Sequence, residues 1–206
     1  MTRTGLFIAF EGGEGAGKST QSTLLEKSLI AGGHRVLRTR EPGGTQAAEA
    51  IREIVLDPAF AGLDSRAEAL LFAAARGDHA THVIRPALDA GIIVICDRYI
   101  DSSAAYQGAG RQLGMEHVEE LSLWATGNLV PDLTIVLDID PAIGLSRVDN
   151  PDRLEAEPES WHRTVRAAFL SLAERDPQRY LIFPADTDAD ELARLIIAAV
   201  QPLLLR

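Results

Sequence analysis

Residues 7–20 constrain this chain more tightly than any other stretch. Phe7-Ile8-Ala9-Phe10 is a short apolar run, the pattern of a buried parallel strand. It breaks into Glu11-Gly12-Gly13-Glu14-Gly15-Ala16-Gly17-Lys18-Ser19-Thr20, and a helical pattern follows. Gly12, Gly17, Lys18 and Ser19 satisfy the spacing G-x-x-x-x-G-K-[ST]. Glycines at this spacing let the backbone bend until successive N–H groups face one concavity. That concavity lies at the positive end of the following helix, where a phosphate chain can be held. Gly12, Gly13, Glu14, Gly15, Ala16, Gly17, Lys18, Ser19 and Thr20 are therefore the expected nucleotide-phosphate contacts. Lys18 can reach the β- and γ-phosphates as a point charge, and the Ser19 hydroxyl can ligate Mg²⁺. A glycine-rich turn that binds nothing is the alternative, but the strand-then-helix context is the one this motif requires.

The rest of the chain supplies that context. Apolar residues at Leu24, Leu25, Leu29 and Ile30 mark a helix over 20–31, ended by Gly32-Gly33. Val36-Leu37 begins a second strand that runs into Thr39-Arg40-Glu41-Pro42-Gly43-Gly44, and 47–56 is helical again. Ser65 is the expected cap of a long helix from Arg66 to about Ala90, with Pro86 marking a kink or break. Ile92-Ile93-Val94-Ile95-Cys96 reads as a strand covered on both faces, with Asp97-Arg98-Tyr99 at its carboxyl end. Helices are expected over 102–113 and 115–126, a strand over 133–139 and a short helix over 141–147. A polar interruption over 148–159 precedes a helix over 161–175, a strand over 180–183 and a terminal helix over 188–205. Alternating strands and helices imply a parallel, doubly wound sheet whose site lies at the carboxyl ends of the strands.

Size and charge bound the partners. At 206 residues the chain suits one α/β domain, and its net charge of −10 argues against nonspecific nucleic-acid or anionic-membrane binding. Phosphate affinity must then come from particular arginines. The lone Cys96 rules out an internal disulfide, and no apolar run approaches a membrane span, so the expectation is a soluble cytoplasmic protein.

Phosphoryl chemistry needs charge neutralisation, so charged residues near strand ends are informative. Asp97 is placed as a carboxylate beside Mg²⁺, and Arg98 beside it could clamp an acceptor phosphate; a simple strand-end ion pair is the alternative. Phe72 and Arg76, four apart on a helix, could stack on a base and bond a ring carbonyl. The same spacing also describes a core phenylalanine and a salt-bridged arginine, the commoner arrangement. Arg147 and Arg153 flank the start of the polar interruption, which is either a loop that closes over phosphates or a solvated surface loop. His79 and His82 lack the supporting ligands of a zinc site, and nothing near Cys96 forms a nucleophilic triad.

Taken together, the motifs of residues 11–20, Arg40-Glu41-Pro42-Gly43-Gly44-Thr45, Leu70-Leu71-Phe72-Ala73-Ala74-Ala75-Arg76, Asp97-Arg98-Tyr99, Ser102-Ser103-Ala104-Ala105-Tyr106-Gln107-Gly108 and Arg166-Ala167-Ala168-Phe169 resemble the bacterial thymidylate kinase family, in its order and over nearly the whole chain. The resemblance implies an α/β P-loop kinase fold in a single domain over 1–206. That fold has a five-stranded parallel sheet, helices on both faces and a short lid at about 147–159. It also implies transfer of the ATP γ-phosphoryl group to dTMP with Mg²⁺, and a homodimer packed through helices. Carried onto matching positions, Phe72 stacks on thymine, Arg76 bonds its O4, Ser103 and Gln107 contact the base, and Tyr106 lies under the deoxyribose. Arg98 holds the acceptor phosphate, Arg52 is a further arginine on the substrate side, and Glu41 and Pro42 belong to the dTMP side. Glu14 falls at an acidic position near the acceptor phosphate and Mg²⁺, which with Ser19 and Asp97 completes the implied metal set. Glu14 also matches the subtype whose catalytic arginine comes from the lid. That role falls on Arg153, with Arg147 supporting at the ATP, so that Lys18, Arg98, Arg153 and Glu14 form the implied catalytic set. The lid departs from the pattern, because Val148-Asp149-Asn150-Pro151-Asp152 is short and acidic where family lids of this subtype are often longer and richer in arginine.

Three other readings share some of these features. Deoxynucleoside kinases and other nucleoside monophosphate kinases carry phosphate loops and Asp-Arg strand ends, but Glu41-Pro42-Gly43-Gly44 and Tyr106-Gln107-Gly108 favour the thymidylate kinase pattern. A GTP-dependent switch needs an N-K-x-D motif, and the chain has none. A non-catalytic phosphate-binding scaffold would bind nucleotide without turnover.

Overall fold

A computed structural model describes residues 4–205, with side chains through 204. The expected 1–206 domain therefore begins and ends outside the described residues. The first apolar run becomes β1 (Phe7–Gly12), buried at every position. β2 (Val36–Arg40), β3 (Ile93–Asp97), β4 (Leu133–Asp138) and β5 (Tyr180–Pro184) join it in one sheet of order β2-β3-β1-β4-β5. Every pairing is parallel, and Phe10 lies opposite Asp97 on one side of β1 while Glu11 lies opposite Val136 on the other. The central strand thus delivers its carboxyl end, and the loop that follows it, between the ends of β3 and β4. This is the topological switch point, where open α/β sheets place ligands.

Alternation along the strands builds a core on each face. Ile8, Phe10, Ile93, Ile95, Leu133, Ile135 and Leu137 pack with Leu25 and Leu29 of α1 (Lys18–Ala31) and Leu192, Ile196 and Val200 of α9 (Ala189–Val200). Phe7, Ala9, Val94 and Cys96 face the other way, against Ile84, Leu88, Tyr99 and Ile100. Each fully buried side chain of this kind contributes about 1.5–3 kcal/mol, so burial on both faces holds the sheet between helical layers. A third cluster, with Phe72, Tyr106, Phe169 and Leu172, lies beside the sheet and floors a cavity described below. Arg166 of α8 (Glu159–Arg175) ties that layer to the end of β4, donating to both carboxylate oxygens of Asp138 at 2.6 and 2.8 Å.

The remaining helices are α2 (Gln46–Leu56), α3 (Ser65–His79), α4 (Arg85–Asp89), α5 (Ile100–Ser103), α6 (Met115–Thr126) and α7 (Pro141–Leu145). Three expectations change in detail. Ser65 is not the cap of the long helix: the Asp64 carboxylate accepts from the backbone N–H groups of Arg66 (3.0 Å) and Ala67 (3.2 Å), and Ser65 is the first helical residue. Pro86 also does not break the run. A π-helical turn over Ala80–Ile84 joins α3 to α4, and its wider winding opens the room that the proline ring needs against the preceding turn. A second π segment, Ala104–Gly110, replaces most of the helix expected over 102–113.

Candidate active site

The loop between β1 and α1 takes its shape from glycines that no other residue could replace. Gly12 has φ +132°, and a Cβ on it would lie 2.3 Å from the Leu137 carbonyl oxygen; Gly15 has φ +64°, and a Cβ there would lie 2.0 Å from the Gly144 oxygen. Gly17, also left-handed, precedes α1, and no side chain caps that helix. Its first N–H groups therefore stay open toward the loop, the arrangement that binds anions. Lys18 folds its ammonium back over the loop, donating to the Gly12 (3.0 Å) and Gly13 (2.7 Å) carbonyls. Burial, and then the charge of Arg98, bring its pKa down to about 8, against the opposing pull of Glu14 and Asp97. Arg147 donates to the Gly15 carbonyl at 3.0 Å, which places its guanidinium on the phosphate side. These residues border a groove that continues past Thr20 to Thr187, Ala189 and Leu192.

Ser19 and Asp97 meet at the bottom of this groove, with the Ser19 hydroxyl donating to Asp97 Oδ2 at 2.5 Å. A hydroxyl and a carboxylate converging beside a phosphate loop are hard oxygen donors, and they fit the few protein ligands that Mg²⁺ takes alongside water and phosphate. Glu14 turns elsewhere. Its Oε1 accepts from Arg98 Nη2 (2.8 Å) and from the Tyr106 hydroxyl (2.5 Å). Burial alone would raise its pKa, but Arg98 and Lys18 outweigh that effect and hold it at about 2. Arg98 sits at φ +68°, a left-handed conformation for a residue with a side chain, and its Nη1 reaches the Gly12 carbonyl (3.1 Å) and Ser102 Oγ (3.3 Å). Its guanidinium stacks 4.9 Å over the Tyr106 ring. Nearby carboxylates outweigh burial and keep Arg98 charged.

A second cavity, open to solvent, lies beside this one. Glu14, Glu41, Pro42, Arg52, Phe72, Arg76, Arg98, Ser103, Tyr106 and Gln107 all border it, so the residues expected on the acceptor side are brought together. Phe72 serves both readings of its spacing: its ring belongs to the apolar cluster beneath while bordering the cavity. Arg76 is nearly all committed to protein. Its Nε donates to Glu41 (2.7 Å), its Nη1 to Ser103 (2.9 Å) and Ser122 (3.1 Å), and its Nη2 to the Tyr99 carbonyl (3.0 Å). Of its five N–H groups, one remains for a ligand. Glu41 is held from the other side by His79 at 3.0 Å, and Arg52 donates to the Pro42 carbonyl at 2.9 Å. Glu14, Glu41, Arg52, Arg98 and Glu155 border both the cavity and the phosphate groove, so the two meet there.

Arg153 is the exception. Expected to supply charge to phosphate, it borders neither space and is only 6% exposed. Its Nη1 pairs with Glu68 Oε2 at 2.6 Å, its Nε donates to the Val55 carbonyl at 2.9 Å, and its backbone N–H donates to the Leu56 carbonyl. The cause is Glu68, a carboxylate with 0% exposure on α3 that must be compensated by a cation. The lid is accordingly packed down, with Leu154 buried and Asp152, Leu154 and Glu155 bordering the cavity. These three were not anticipated, although they belong to the segment recognised as a lid. Nor was Glu11 anticipated. Its fully buried carboxylate accepts from Tyr99 N (2.8 Å), Ser102 N (3.1 Å) and Ser102 Oγ (2.6 Å), and so fixes the turn that carries Arg98. A carboxylate inside an otherwise apolar strand was a legible signal that such partners exist.

Comparison with known proteins follows this geometry. The family model described as thymidylate kinase matches residues 10–196. A thymidylate kinase of Leifsonia xyli subsp. xyli is 53% identical over 195 residues, covering 93% of this chain and 92% of that protein. A thymidylate kinase of Deinococcus radiodurans is 50% identical over 199 residues, covering 95% and 96%. The crystal structure of thymidylate kinase from Ehrlichia chaffeensis superposes with a TM-score of 0.78 at 34% identity, covering 96% of this chain and 98% of that one. A family model that spans residues 10–196, relatives at least 50% identical over nearly the whole chain and a solved structure that superposes over 96% of it place this chain in the thymidylate kinase family.

Proposed function

We propose that the chain, acting as one phosphate-loop domain with its lid at about 147–159, transfers the γ-phosphoryl group of ATP to dTMP, giving dTDP and ADP. One observation carries this reading: the groove of Lys18 and the cavity of Phe72, Arg76 and Gln107 share Arg98, Glu14 and Arg52 as a common wall. A donor phosphate chain along residues 12–20 and an acceptor phosphate at Arg98 would then approach each other across a gap lined by cations. Transfer of a phosphoryl group depends on positioning and on charge neutralisation. Lys18 supplies a cation at the β,γ-bridge side, and Arg98, kept charged by Glu14, supplies one at the acceptor. Arg147, on the loop side, is the lid-root arginine placed for the donor. Ser19 and Asp97 would hold Mg²⁺, which neutralises charge on the polyphosphate, while Glu14, expected in the metal set, is committed to Arg98 and Tyr106 and stays ionised there.

Tyr106 closes the acceptor floor. Its hydroxyl donates to Glu14 at 2.5 Å, so a sugar resting on the ring meets an already committed hydroxyl and an apolar face. That arrangement favours a 2′-deoxy sugar over one that brings an extra hydroxyl needing a partner. A coupled ADP-release assay with ATP, Mg²⁺ and, in parallel, dTMP, dUMP, dCMP, AMP and thymidine tests the reading. Turnover strongest with dTMP is expected; turnover with thymidine alone would move the chain to the nucleoside kinases.

The assembly is proposed to be a homodimer. Trp124 is 81% exposed and Leu70 57% exposed on adjoining faces of α6 and α3, beside Ala73, Leu121 and Ala125. Large apolar side chains grouped on one face mark an association surface. Trp124→Glu is expected to convert a dimer into a monomer in sedimentation equilibrium, and a monomeric wild-type protein at micromolar concentration would refute the assignment. The single buried Cys96 and the acidic charge suit a reducing, cytoplasmic setting without nucleic-acid partners, and no helix among the described residues is long and apolar enough to cross a membrane.

A further inference from the structure

Beneath the acceptor cavity lies a cluster that the proposed mechanism does not use. Glu68 of α3 is fully buried and is flanked by two arginines from different parts of the chain. Its Oε1 accepts from the Gln107 side-chain amide (2.9 Å) and from Arg111 Nε (3.3 Å). Its Oε2 meets Arg153 of the lid at 2.6 Å. Arg111 continues the cluster to the far end of the lid, donating to Glu157 at 2.5 Å and stacking 5.1 Å over the Trp161 ring.

The chemistry of Gln107 follows from that contact. An ionised carboxylate only accepts hydrogen bonds, so the face of the Gln107 amide turned to Glu68 must be its NH₂ group. The carbonyl Oε1 is then turned the other way. Gln107 borders the acceptor cavity, and Oε1 has no partner among the described residues. The cavity is thereby offered the carbonyl acceptor at this position, while Glu68 holds one of the two N–H groups of the amide. An imide ring nitrogen, as in thymine or uracil, carries a hydrogen that such an acceptor can take; the corresponding cytosine nitrogen carries a lone pair and would be left facing it.

We propose that Glu68 is a positioning residue: one oxygen sets the hydrogen-bonding sense that Gln107 presents to the acceptor base, and the other ties the lid to the floor of the same pocket. This rests on the dTMP reading of the cavity. Glu68 touches no substrate, and it acts on base choice only through Gln107. In Glu68→Gln one of the two carboxylate oxygens becomes an NH₂ group, so the Gln107 amide is free to turn its own NH₂ toward the cavity. Losing one hydrogen bond and facing the wrong group is worth about tenfold in discrimination.

The test measures kcat and KM for dTMP, dCMP and ATP in the full-length wild-type enzyme, E68Q and R153M. Hydrogen exchange of lid amides 152–157 is followed in each. E68Q is expected to narrow the dTMP-over-dCMP ratio of kcat/KM at least tenfold, leave the ATP KM within twofold and speed lid exchange. R153M, which keeps the Glu68–Gln107 bond, is expected to speed lid exchange and keep the base ratio within threefold. An unchanged ratio in E68Q, or ATP and dTMP KM values rising together, would overturn the proposal. If E68Q fails to fold because Arg153 is left buried and unpaired, E68Q/R153M removes both charges and must show the same narrowed ratio. A wild-type enzyme with no activity on any pyrimidine monophosphate would instead remove the dTMP reading on which the proposal stands.

Discussion

At the scale of single residues, this protein relies on carboxylates in places where burial would normally exclude them. Glu11 shows how such a group responds to pH. Burial, and then the charge of Asp101, raise its pKa to about 8 from an ordinary 4.5. Below 4.5 the carboxyl is protonated whether the chain is folded or not, and it confers no pH dependence. Between 4.5 and about 8 the unfolded chain has released the proton that the folded chain retains, so this group's contribution to stability is lost as pH rises through that window. Urea midpoints at pH 5, 7 and 9 should fall with pH more steeply for wild type than for Glu11→Gln, and parallel profiles would show that Glu11 does not titrate in this way. Lys18→Ala is expected to lower kcat at least hundredfold by removing charge from the donor side, and a kcat within tenfold of wild type would exclude that role. Motif spacing pointed to Lys18 and Ser19, and a strand-end position to Arg98, and the structure brings all three to one groove. The position of Arg153 was not legible because it depends on Glu68, 85 residues earlier, and no local pattern reports that a helix carboxylate is buried.

At the scale of elements, hydrophobic period located every strand and most helices, since five apolar runs alternate with helical stretches. It did not reveal the two π segments, because a 3.6-residue period assumes the winding that they depart from. The segment over Ala104–Gly110 matters to function: Ser103, at its edge, and Tyr106 and Gln107, within it, all reach the acceptor cavity. Helix ends were harder to read than helix interiors, as Asp64 and Ser65 show. Both are good capping residues, and only the carboxylate geometry distinguishes them. Asp64→Ala should therefore cost about 1 kcal/mol, or about 2–4 °C in Tm by calorimetry, while Ser65→Ala should move Tm by less than half as much. Equal shifts would mean that the cap is shared.

At the scale of the whole molecule, the chain carries a net charge of −10 and yet gathers Lys18, Arg52, Arg98 and Arg147 around one groove. Local concentration of cations within an acidic chain would attract small polyanions to one groove, while the net negative charge opposes nonspecific binding of larger ones. The fold supplies the gathering, since the central position of β1 puts the phosphate loop between strand ends that contribute Asp97 and Arg98 from one side and the root of the lid from the other.

The common wall between groove and cavity has a thermodynamic consequence. Glu14, Arg52 and Arg98 border both spaces, so an anion that settles in one would change the field in the other. The two binding equilibria are then linked, and linkage is reciprocal: whatever factor dTMP imposes on the affinity for a non-hydrolysable ATP analogue, that analogue must impose on dTMP. Titration calorimetry in both orders should return one shared factor different from unity, and Arg98→Gln should bring that factor toward one. Independent binding in the wild-type protein would mean that the two ligands do not share this wall. The affinity for either substrate would in this sense be a property of the pair, written into the side chains that border both spaces.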